Sequence, residues 1–99
     1  MATKISWDLA TERVDGSPLD LKYTVLFIYA KGGGLVRQVV APAPQTEVLL
    51  ADLQLENGLY EVEAYSEDEF GGRSDPTSRV TFRIGPLPAP KAPTNLRTA

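Results

Sequence analysis

Hydrophobic residues recur at every second position in one segment after another, and the interruptions are Gly, Pro, Asn and Asp. Ile5, Trp7 and Leu9 alternate with Ser6 and Asp8, and Val14-Asp15-Gly16-Ser17-Pro18 then supplies turn chemistry. Leu21, Tyr23, Val25, Phe27 and Tyr29 form the longest alternating set, closed by Lys31-Gly32-Gly33-Gly34. Glycine adopts positive φ without a Cβ clash, so the triplet predicts a hairpin loop into a strand over 35–40. Pro42 and Pro44 end that strand, because proline cannot donate to a ladder. Further strands are predicted over 46–53, 58–66 and 78–84. No run sustains a 3.6-residue period, so no helix is assigned. Six short strands at close spacing predict an all-β, two-sheet antiparallel sandwich. Its expected core is Trp7, Tyr23, Val25, Phe27, Leu53, Tyr60, Val62, Val80 and Phe82.

From Gly85 the pattern changes. Pro86-Leu87-Pro88-Ala89-Pro90-Lys91-Ala92-Pro93 has proline at every second or third position and predicts a stiff polyproline II connector. The chain therefore divides into a sandwich over 1–85 and a Pro-rich tail over 86–99, in which 94–99 is long enough for an added strand.

Composition narrows the chemistry. The 99 residues allow one modest core, and they contain no cysteine and no histidine. Disulfides, thiolate nucleophiles, imidazole bases and the commonest zinc ligands are excluded together. A serine nucleophile would have only lysine or a carboxylate as its base, so the expectation is a protein that is not an enzyme and carries no metal or cofactor. A formal net charge of -3 argues against a phosphate-binding surface and so against nucleic acid. The start has no apolar signal-like stretch, and nowhere is there a run long enough to span a bilayer, so no membrane partner is expected. Gly32-Gly33-Gly34 lacks the Gly-Lys-Ser or Gly-Lys-Thr of a phosphate loop. Glu67-Asp68-Glu69 with Asp75 offers oxygen ligands, but the spacing matches no calcium loop and reads as a solvated acidic loop.

Trp7 in the first strand, Leu53, and the run Gly58-Leu59-Tyr60-Glu61-Val62-Glu63-Ala64 together resemble a fibronectin type III domain. The resemblance covers 3–84. It implies that Tyr60 is a tyrosine-corner residue, with its ring in the core and its hydroxyl bonded to upstream backbone. Gly71, Ser74 and Pro76 are similar to the family's loop between its last two strands, which here carries no Arg-Gly-Asp, so integrin binding is not implied. The family's first strand is missing, since the chain opens at what would be the second. Ala92-Pro93-Thr94-Asn95-Leu96-Arg97 looks like that first strand placed after the last one.

Two surfaces are expected to contact protein. If Tyr23, Val25, Phe27 and Tyr29 point inward, alternation turns Leu26 and Ile28 outward, beside Tyr65 and rimmed by Glu61, Glu63, Arg79 and Arg83. The tail residues Thr94, Asn95, Leu96 and Arg97 are expected to pair along the edge left open by the missing strand. A neighbouring copy's edge is favoured over the chain's own. The functional expectation is a non-catalytic structural module that assembles with itself or a larger complex. By analogy it would be a bacteriophage virion component, such as a decoration or tail protein. The alternative is a spacer or adhesion module within a larger secreted bacterial protein, which would place it outside the cell.

Overall fold

A computed structural model describes residues 3–86 and 89–98. Among them are six strands: β1 (Lys4–Ser6), β2 (Leu21–Ala30), β3 (Leu35–Pro42), β4 (Glu47–Leu49), β5 (Gly58–Asp68) and β6 (Val80–Ile84). Two antiparallel sheets form, one of β1 and β4 and one in the order β3-β2-β5-β6. The fold is an all-β sandwich, and its core lies between the sheets around Leu26, Ile28, Leu50, Leu53, Tyr60 and Val62.

The β2–β3 hairpin turns at the glycine triplet, where Gly32 has φ 73° and the Gly33 N–H donates to Ala30 O at 2.8 Å. The strand expected over 46–53 is shorter. Only Glu47–Leu49 is extended, and Leu50–Leu53 forms a 3₁₀ turn. Leu50 and Leu53 are three residues apart, so one 3₁₀ turn buries both, whereas a strand would send them to opposite faces. The ring of Tyr60 stacks on Phe82 with centroids 5.6 Å apart, and its hydroxyl donates to Glu56 O at 2.7 Å. This is the upstream backbone bond expected from the sequence.

The facing of β2 is a correction. Leu26 (1% exposed) and Ile28 (0%) point into the core rather than outward. Both phases of β2 are apolar, so its own pattern cannot choose between them. The neighbouring strand decides. In β5 the apolar Tyr60, Val62 and Ala64 alternate with Glu61 and Glu63, and burying unpaired glutamates would be costly. Leu26 pairs with Ala64 and Ile28 with Val62, so they follow those residues inward. Val25, Phe27 and Tyr29 consequently lie on the outer face. Tyr23 is exposed, and Val80, also expected to be buried, is 61% exposed.

The outer face is covered by its own side chains. Phe27 packs on Tyr65 at 5.1 Å, and the Arg73 guanidinium sits 4.7 Å above the Tyr65 ring. Arg79 lies 3.8 Å above the Tyr29 ring, and the Tyr29 hydroxyl donates to Glu63 at 2.8 Å. That bond and the nearby carboxylate raise the Tyr29 phenol above its ordinary value.

Candidate protein-docking groove

The structure separates the residues expected to contact protein. Leu26 and Ile28 are core, and Tyr65 is 6% exposed beneath Arg73 and Phe27, so the three form no apolar surface patch. Thr94, Asn95, Leu96 and Arg97 are all exposed and pair with no strand among the described residues, and Leu96 is 94% exposed.

A different apolar surface lies where the two sheets fail to close. β1 pairs with β4 on one side only. The Trp7 N–H donates to Thr46 O at 2.9 Å and the Leu50 N–H to Thr3 O at 3.0 Å, so residues 3, 5 and 7 direct their backbone groups at β4. In an antiparallel ladder alternate residues face opposite ways. Lys4 and Ser6 therefore turn their N–H and C=O groups to an edge with no strand beside it among the described residues. Next to that edge is a groove of about 480 Å³ walled by Ile5 of β1, by Trp7 just after it, and by Leu26, Val62, Val80 and Phe82 of the larger sheet. Val80 pairs with Val62 and shares its inward face, which explains how an inward-facing valine is 61% exposed. The indole N–H of Trp7 is buried without a hydrogen-bond partner among the described residues.

Sequence reasoning foresaw the open edge but not the side chains that line it. Val80 and Phe82 alternate with Thr81 and Arg83 like an ordinary core strand. Nothing in that pattern says that the opposing layer stops short.

At one end of the larger sheet Asp68 borders a second concavity of about 370 Å³, lined by apolar residues such as Val14 and Leu19 together with Arg13, Asp15, Gly72 and Arg73. Its Oδ1 accepts the Phe70 N–H at 2.9 Å and the Gly72 N–H at 2.8 Å, and its Oδ2 accepts Arg13 Nη1 at 2.8 Å. The Arg13 bond, then the backbone donors, hold the Asp68 carboxyl below its ordinary value, and Asp68 in turn raises Arg13. A Cβ at position 72 would fall 2.9 Å from Asp68 Oδ2, so a larger residue there would displace the carboxylate from its partners. These groups are committed to one another and tie the segment before β2 to the β5–β6 turn. Among the described residues no group of three or more acidic side chains is placed to hold a metal ion.

Comparison with family models, with curated proteins and with solved structures returned no match.

Proposed function

We propose that the protein is a non-catalytic structural module of fibronectin type III character, and that it works by docking to other protein chains through the groove beside β1. The observation that carries this reading is that β1 has no strand on its outer side among the described residues. An inward-facing apolar wall is exposed next to a strand edge whose hydrogen-bonding groups point at solvent. Both features are liabilities in a free chain, and an added strand relieves both. Backbone pairing would come from Lys4 and Ser6, and side-chain recognition from Ile5, Trp7, Val80 and Phe82. Assembly with copies of itself or within a larger complex follows, and a virion component is the setting we favour by analogy.

Val80→Glu tests the reading. Val80 is largely solvent-exposed in the free chain, so the substitution should leave the fold intact while placing a charge in the groove. Sedimentation velocity across a concentration series should show self-association in the wild type and its loss in Val80→Glu. Trp7 is the single tryptophan and lines the groove, so its emission should shift to the blue as the wild type associates. Association that Val80→Glu leaves unchanged, with no shift in Trp7 emission, contradicts the docking role.

The exposed tail after the Pro-rich stretch also favours a second reading, a spacer whose residues from Thr94 onward begin another domain. The two readings differ in whether the natural reading frame continues past Ala99.

A further inference from the structure

We propose that the occupant of the groove is the segment 94–98 of a second copy of this chain, so that copies join head to tail, each giving a strand and receiving one. The inference rests on the docking reading above and names its partner.

Four observations point to this segment. First, its chemistry fits the slot. From Thr94 to Thr98 there is no proline, so its amides are free to pair with the groups that Lys4 and Ser6 turn outward. Alternation places Thr94, Leu96 and Thr98 on one side and Asn95 and Arg97 on the other. Leu96 is the one large apolar side chain in 89–98, and it is 94% exposed against a groove walled by Trp7, Val80 and Phe82.

Second, the charges are complementary. Residues 1–85 carry thirteen acidic and eight basic side chains, a net -5, whereas Lys91 and Arg97 give 86–99 a net +2. Opposite net charges draw the tail of one copy to the body of the next, and salt weakens that attraction.

Third, the tail leads away from its own body. The radius of gyration is 18.4 Å, against about 13 Å for a compact chain of this length, and the longest dimension is 71 Å against 26 Å and 20 Å for the others. Gly85, at φ 63°, turns the chain out of β6. The connector to Thr94 then reaches roughly 30 Å if extended as polyproline II, enough to clear the body and meet a neighbour.

Fourth, the free segment is ready to change shape at little cost. Asn95 has φ 56°, a left-handed conformation that asparagine visits readily but that a strand does not contain. Docking converts it to an extended one.

The test uses two full-length variants, each disabling one half of the joint. Leu96→Asp spoils the donor and leaves the groove; Val80→Glu spoils the groove and leaves the donor. Both positions are exposed in the free chain, so both variants should keep the wild-type circular dichroism and melting temperature. Each alone should associate roughly 10- to 100-fold more weakly than the wild type, the range expected for the burial of one leucine-sized side chain. Mixed one to one, they should form a complex that stops at two chains, because only one competent donor meets one competent groove. Raising the salt concentration should weaken that complex.

If Val80→Glu abolishes association while Leu96→Asp associates like the wild type, the groove is a docking site for something other than the tail. The inference then falls and the docking reading stands. A monomeric wild type whose melting temperature drops on Leu96→Asp means that the tail occupies its own groove, which overturns the second copy as partner. If neither substitution changes association or stability, the inference and the docking reading fall together.

Discussion

Asp68 shows how one side chain can set a local structure. Its two oxygens accept from Phe70, Gly72 and Arg13, which fixes the turn after β5 and holds the segment before β2 against it. Its carboxyl is held below the ordinary value of 3.8 by these donors, the Arg13 bond first. A depressed folded value means that the stabilisation is fully present above 3.8 and is lost as the pH falls through the folded value. Asp68→Asn should therefore lower the melting temperature at neutral pH, and the gap to wild type should close in acid. A gap that stays constant from neutral pH into the acid range would show that the loss comes from shape and not from charge.

At the level of elements, the exit from β6 depends on one residue. Gly85 has φ 63°, and a Cβ there would collide with the Asn57 side chain. Gly85→Ala should cost about 1–2 kcal/mol for the left-handed backbone, with a further loss from the clash. Thermal denaturation should show part of that loss recovered in an Asn57→Gly background; no recovery would mean that the backbone conformation is the whole effect. The same scale shows what the sequence revealed. All six strands were legible, because apolar runs are bounded by Gly, Pro, Asn and Asp, and the family resemblance implied that the Tyr60 hydroxyl bonds upstream backbone, which it does at Glu56 O. The facing of β2 was not, because Val25, Phe27 and Tyr29 are as apolar as Leu26 and Ile28 and only the glutamates of β5 break the tie. The 3₁₀ turn at Leu50–Leu53 was missed because it follows the apolar Val48-Leu49 of β4 without a Gly or Pro break, although the three-residue spacing of Leu50 and Leu53 does not suit a strand. The open edge of β1 was legible, but the walls of the groove were not, since Val80 and Phe82 alternate with Thr81 and Arg83 like any core strand.

Across the whole molecule, an acidic sandwich whose β1 has no second strand beside it among the described residues is joined to a basic, proline-rich tail in which Leu96 is exposed. The sandwich and the tail are complementary in net charge, in hydrogen-bonding capacity and in apolar surface, which is the requirement for a heterologous, head-to-tail contact. Such contacts close into rings or extend as filaments according to the rotation between neighbours. The central claim is that the outer edge of β1 gains a strand, and amide hydrogen exchange at single-residue resolution tests it most directly. The Trp7 amide already donates to Thr46 O and serves as an internal reference in both states. In dilute protein the amides of Lys4 and Ser6 should exchange freely while Trp7 is protected. At concentrations where the protein associates, Lys4 and Ser6 should become protected as well, and Leu96→Asp should restore their free exchange. Lys4 and Ser6 amides that exchange as freely in the associated protein as in the dilute one would contradict the account.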